Sequence, residues 1–144
     1  MTSVLLVVHI ATAIVFIGAL TAAASIFPRF VDEQDPEHVD QHRAVAVQMH
    51  RITSGYGRLA VITPLAGLTM AVIGGKTGEL WILLAIILSA VAGLVLVAPL
   101  IPAQKAALKM PSPEARRQCF SYAGLLNLLW ITILVLMITK PGSG

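Results

Sequence analysis

Four stretches of this chain are apolar on every face and long enough to cross a bilayer: residues 4–27, 56–74, 80–100 and 120–139. Few other features constrain a fold as tightly. A helix in a soluble protein hides one apolar stripe and wets the rest; one that is apolar all round needs lipid or the middle of a much larger core. With 144 residues the chain cannot supply that core. A span of about 20 residues at ~1.5 Å each covers the hydrocarbon thickness. In lipid every backbone N–H and C=O must find its partner inside the protein, which leaves helices for apolar segments of this kind. The expectation is an all-α protein: a single integral membrane domain over residues 1–144, built as a four-transmembrane-helix bundle of two hairpins. Composition agrees. Hydrophobic residues make up 57% and charged residues 12%, where soluble domains carry about a quarter charged. The net charge of +3 sits at helix ends, where headgroups account for it, so the lipid bilayer is the expected partner and nucleic acid is not.

The first segment has an Ala22-Ala23-Ala24 run that looks like a cleavage site. No Lys or Arg precedes it, and it is too long for the apolar part of a signal peptide. We expect it to be retained as a span. Orientation follows from the basic residues. Arg29, Arg43, Arg51, Arg58, Lys105, Lys109, Arg116 and Arg117 belong to one side; only Lys76 and Lys140 belong to the other. This bias predicts that the rich side is cytoplasmic and that both termini lie outside, in a multi-pass protein of the inner (plasma) membrane.

Local signals fix the element ends. Asp35-Pro36-Glu37 and Ser112-Pro113-Glu114 each read as a helix start, with a capping oxygen, a proline at the first helical position and an acid at the positive dipole end. Both lie well before their apolar spans, so the second and fourth helices should begin in water, with His38, His42, His50 and Arg51 on the wet part of the second. Pro64 should kink the second helix, with Thr63 re-satisfying the opened backbone. Gly74 to Gly78 form a tight turn, and Trp81 marks the interface. Pro99 and Pro102 are expected to end the third helix, leaving Lys105 and Lys109 on a loop. Small residues four apart (Gly18 and Ala22, Gly67 and Ala71, Ala85 with Ser89 and Gly93) predict close helix packing. The two proline-led starts give the halves a faint internal echo. Cys119 is the one cysteine; no internal disulfide is possible, and it reads as a small packing residue rather than a reactive or lipidated thiol.

Chemistry has to come from polar groups at membrane depth. No phosphate loop, zinc spacing or nucleophile triad occurs. His9 stands out, about five residues and so roughly 7–8 Å inside the first span. An ionisable side chain there is costly and marks a candidate site. It reads either as a neutral imidazole bonded to a neighbouring helix, or as a haem or metal ligand, or as a proton or quinone contact. Met70, Met137 and Lys140 fall at the same level, and thioether and amine are haem or copper ligands in principle, although methionines in apolar spans are usually packing. His50 falls at the opposite end, too far to share a haem with His9 across a core of about 30 Å. A second ligand would therefore be Lys140 or Met137, or a second His9 in a symmetric dimer. Asn127, Thr132 and Thr12 should bond across helices or back to their own carbonyls.

These residues carry a resemblance. "VVHIATAIVFIGAL" with His9, Phe16 and Gly18, "FPRF" from Phe27 to Phe30, "ITPLAG" around Thr63 and Pro64, "LLN" ending at Asn127 and the closing Lys140-Pro141 resemble the HemJ-type protoporphyrinogen oxidases and the copper-resistance D-like proteins. The chain is most similar to a related branch of predicted integral membrane proteins. The resemblance implies a haem-b-binding fold with His9 as a ligand and Lys140 in the same site. Phe16 stands where the HemJ type has tryptophan, the proline-arginine pair comes about one turn late, and the third helix lacks a polar tyrosine-histidine element. With these departures the predicted-membrane-protein branch fits better than the HemJ type.

Three functions remain open. The leading expectation is a non-catalytic accessory subunit of a larger membrane assembly, in the respiratory class, partnered by other membrane subunits or by copies of itself. The alternative is a haem-b-binding redox membrane protein resembling the HemJ-type protoporphyrinogen oxidases. Copper handling through His9 is third, since copper sites gather several His or Met ligands. Nothing in the residues assigns a reaction, so the sequence does not decide whether this is an enzyme.

Overall fold

The computed structural model describes residues 2–31 and 36–142, with no account of the Thr2 side chain. The described residues form helices joined by short turns, with no strand among them, and four helices are long and apolar enough to cross a membrane: α1 (Ser3–Phe30), α2 (Val39–Ile73), α3 (Leu80–Lys109) and α4 (Pro113–Thr139). Consecutive helices form two hairpins, α1 with α2 and α3 with α4.

The turns are made as their residues dictate. α2 ends at Gly74, and Gly75 adopts φ 66°, a left-handed conformation that costs glycine little. The Lys76 N–H then reaches back to the Ala71 carbonyl at 2.9 Å and the Gly75 N–H to Val72 at 3.1 Å, closing the helix end in a Schellman motif. Ser112 caps α4 as expected, its Oγ accepting from Ala115 N at 3.1 Å. The corresponding start of α2 differs. Asp35 lies outside the described residues, Pro36 to His38 form a turn, and the helix begins at Val39.

The prolines act differently from the simplest expectation. α1 runs on through Pro28 to Phe30. α3 is not ended by Pro99 or Pro102. It widens to a π-turn over Leu96–Leu100 and continues as Ile101–Lys109, so Lys105 and Lys109 are helical and the loop shrinks to a few residues. A wider turn gives the proline ring room where a regular turn would clash, and Pro102 falls in the first turn after it, where a missing N–H is tolerated. Arg43 of α2 then donates from Nη1 to the Leu108 carbonyl at 2.9 Å, serving a carbonyl at the end of α3 that has no helical donor. Pro64 breaks α2 at Ala60 and Val61, one turn before itself. The Ala60 carbonyl, deprived of a donor at position 64, takes the Thr63 N–H at 3.2 Å instead.

Packing is uneven along the bundle. One core cluster joins Leu20 and Ala24 of α1, Ala60 of α2, Ala92, Leu96 and Leu100 of α3, and Ala123 and Leu126 of α4. A second holds Phe27, Val31, Ala46, Ala107 and Cys119. Both lie in the middle and towards the basic end, where all four helices touch. Gly57 allows this approach, since a Cβ there would sit 2.8 Å from Leu96 Cδ2. Gly18 and Gly93, by contrast, have nothing within 4 Å of such a Cβ, so these members of the small-residue rows are not close-approach points. At the His9 end the first half of α1 packs on the last half of α2, α3 packs on α4, and the two pairs barely meet.

The basic end also holds a polar group that its sequence does not advertise. Gln104 and Thr53 are fully buried. His50 Nδ1 and Gln104 Oε1 are 3.1 Å apart, and Gln104 Nε2 lies 3.5 Å from Thr53 Oγ1. His50 is therefore half-buried and turned into the bundle rather than immersed in water. An amide at position 104 gives its ring nitrogen a partner where water is excluded.

Candidate functional site

Because the two hairpins separate at the His9 end, a cavity of about 410 Å³ opens between them. All four residues that shared a depth in the sequence line it: His9 from α1, Met70 from α2, and Met137 and Lys140 from the end of α4. Its walls are otherwise mostly apolar, and His9 is its only imidazole.

His9 is held by the break in α2. Its Nδ1 lies 2.7 Å from the Thr63 carbonyl oxygen. A carbonyl only accepts, so Nδ1 carries the hydrogen, and in a neutral imidazole that makes Nε2 the lone-pair nitrogen. Gly67, one turn further on the same face, makes room: a Cβ there would lie 2.9 Å from His9 Cε1 and 3.2 Å from Nδ1. The sequence suggested a helix-packing ridge at Gly67; the space is taken by the imidazole. Thr63 Oγ1 donates to Thr12 Oγ1 at 3.0 Å, and Thr12 bonds back to Val8 O at 2.8 Å. Thr63 thus patches the kink with its N–H, as expected, and in addition joins α2 to α1 with its hydroxyl and meets the histidine with its carbonyl.

The other wall is organised around Trp81. Its Nε1 donates to Glu79 Oε2, and Lys140 Nζ stands 5.7 Å from the centre of its ring, a cation–π contact. Lys140 occupies the left-handed region (φ 43°, ψ 56°) at the end of α4. Glycine usually takes such a position, and a residue with a Cβ is strained there. The turn that follows reaches the start of α3, where a Cβ on Gly142 would lie 3.8 Å from Leu80 Cβ. Lys76 lines the cavity as well. The two basic residues of this end therefore both border the cavity, and Lys76 and Trp81 went unrecognised in the sequence as site residues. The signal for Lys76 was its isolation, one of two cations on a side otherwise without any.

The remaining polar residues fall elsewhere. Asn127 donates to Ser25 Oγ at 3.0 Å across α4 and α1, and Thr132 bonds back to Leu128 O at 2.7 Å. Among the described residues no group of three or more His, Cys, Asp or Glu side chains could hold a metal ion. Cys119 is fully buried in the basic half, a packing residue.

Fold and cavity define a class: a small polytopic membrane protein of four helices, with one imidazole in a cavity between its hairpins. The chain belongs to the family described as "Predicted integral membrane protein (DUF2269)", whose model matches residues 3–141. No curated protein and no solved structure matches it.

Proposed function

We propose that this protein binds haem b in the cavity between its hairpins, where His9 Nε2 would hold the iron, and serves as a redox protein in the membrane. One observation carries this: a membrane-embedded imidazole whose Nδ1–H is fixed by the Thr63 carbonyl at 2.7 Å, leaving Nε2 as donor atom. Ligand histidines are typically oriented in this way, and the hydrogen bond raises the basicity of the free nitrogen. Gly67 keeps the ring against α2. Met70 and Met137 add thioethers to the same lining, a ligand type known for haem. Lys140 suits another role. Its Nζ lies against an indole face, a contact of its own, so Met137, Met70 or a second His9 across a dimer would better serve as the second ligand. When bound, haem b supplies a one-electron ferric/ferrous couple. The protein's own part is to hold it, exclude water with apolar walls and set the potential through His9 and Thr63. The Lys/Arg bias supports an inner-membrane protein with the cavity on the outer side.

The accessory-subunit reading draws on the same cleft. Its walls are mostly apolar, and a partner helix seated there would cover apolar surface as lipid does. An absorbance spectrum separates the two. Purified protein, reconstituted with haem, should show a Soret band that His9→Ala abolishes without loss of insertion or folding. Full haem occupancy in that variant would remove His9 as ligand and leave the accessory role ahead.

A further inference from the structure

Beyond the iron ligand, the cavity carries information about the rest of its occupant. Its mouth has two cations, Lys76 and Lys140, above mostly apolar walls. Lys140 is engaged with Trp81. The carboxylate nearest in sequence, Glu79, receives the Trp81 N–H. Lys76 makes no side-chain hydrogen bond or ion pair with any described residue. Nor is it thrown out at random. The Schellman turn fixes its backbone through the 2.9 Å bond to Ala71 O, and its stem folds back towards α2, with Cγ 3.8 Å from where a Cβ on Gly74 would lie. A lysine in such a place lays its methylenes on apolar surface and keeps its ammonium at the rim. An anion meeting it there, half out of water, gains a charge-assisted hydrogen bond that bulk solvent does not weaken fully.

We propose that Lys76 is a positioning residue that receives a carboxylate of the bound ligand, so that the cavity selects an apolar planar body bearing carboxylates, a tetrapyrrole dicarboxylate, over a neutral amphiphile. This rests on the haem reading above and adds which edge of the macrocycle faces the mouth: the carboxylate edge lies at Lys76 and the Gly74 turn, with the apolar edge inward. Lys140, held by Trp81, completes the positive rim.

The experiment compares ferric haem b with its dimethyl ester, which has the same macrocycle and iron but no charge at that edge. Each is titrated into the full-length protein in phosphatidylcholine nanodiscs, with the Soret change as readout. Wild type should bind the diacid about tenfold more tightly than the diester. Lys76→Gln should erase that preference by weakening the diacid alone, leaving the diester affinity unchanged, and Lys76→Arg should restore it. Lys76 is exposed in a turn, so folding should survive, and an unchanged diester titration verifies this. If Lys76→Gln keeps the full preference while both compounds bind, the inference falls and the haem reading stands. If neither compound shifts the spectrum of wild type, both fall. A wild type that shows no preference in phosphatidylcholine, yet retains phosphatidylglycerol in native mass spectra only while Lys76 is present, would mean that Lys76 serves a lipid headgroup, and overturns the proposal.

Discussion

The two ends of this bundle solve different problems with similar residues. At the basic end four helices meet, small residues let them approach, and buried Gln104, Thr53 and half-buried His50 satisfy one another. At the His9 end the helices stay in pairs, and a histidine finds its partner in the backbone carbonyl of Thr63, just before Pro64. His50 is a closed group: its bonded ring nitrogen meets a buried amide. His9 is an open one: one nitrogen is fixed and the other left in a cavity wall. Two histidines in membrane helices thus differ in the partner of the bonded nitrogen and in what the ring borders, which the residue type does not reveal.

The sharpest way to break this comparison is to remove packing at each end. Leu100→Ala, fully buried at the meeting of four helices, should cost about 2–5 kcal/mol, read as a large drop in thermal or denaturant midpoint in detergent. Ile138→Ala, 72% exposed at the open end, should change the midpoint little. Equal losses would mean that the open end is closed in the membrane.

A smaller effect tests the polar group. Gln104→Leu leaves His50 Nδ1 and Thr53 without the amide and should cost about 1–3 kcal/mol. No haem-binding change should accompany it, because Gln104 belongs to the other end. A shifted Soret band in Gln104→Leu would show that the two ends communicate.

Gly67→Ala should separate stability from site. The new methyl would lie 2.9 Å from His9 Cε1, so the ring must swing away and its bond to Thr63 weaken, about 1 kcal/mol. Alanine gains about 1 kcal/mol over glycine within a helix. The two nearly cancel, and the variant should melt like wild type while losing haem affinity severalfold. Unchanged affinity would sink the seat assigned to Gly67.

The smallest effect concerns Cys119 and topology. Being fully buried, the native thiol should stay inert to an impermeant maleimide in folded protein. That leaves a clean background for Lys76→Cys and Lys109→Cys. Position 76 should be labelled from outside and position 109 should not; labelling of position 109 from outside would invert the orientation.

Much of the architecture was legible in the chain. Apolar runs read directly as spans, because lipid leaves a backbone few ways to satisfy itself, and the Ser112 cap and the glycine turn at 74–78 are local chemistry. Element ends around prolines were less legible. Whether Pro99 ends a helix or is absorbed by a π-turn depends on neighbours, and α3 packs against α2 and α4 there. The level shared by His9, Met70, Met137 and Lys140 followed from counting residues along straight helices. That these four line one cavity did not, since depth says nothing about azimuth.

The sequence by itself determined that the chain is a four-helix membrane protein, with its basic residues at one end and a histidine within lipid reach of the other. Those properties are sums over composition and one-dimensional spacing. Only the tertiary structure decided that the bundle closes at one end and parts at the other, that Thr63 fixes one nitrogen of His9, and that Gly67 yields its space to the ring. Each depends on the rotation of one helix against another. That rotation is set by side-chain packing between segments more than 50 residues apart, as in the His9–Thr63 bond, with a separation of 54, and no local pattern records it.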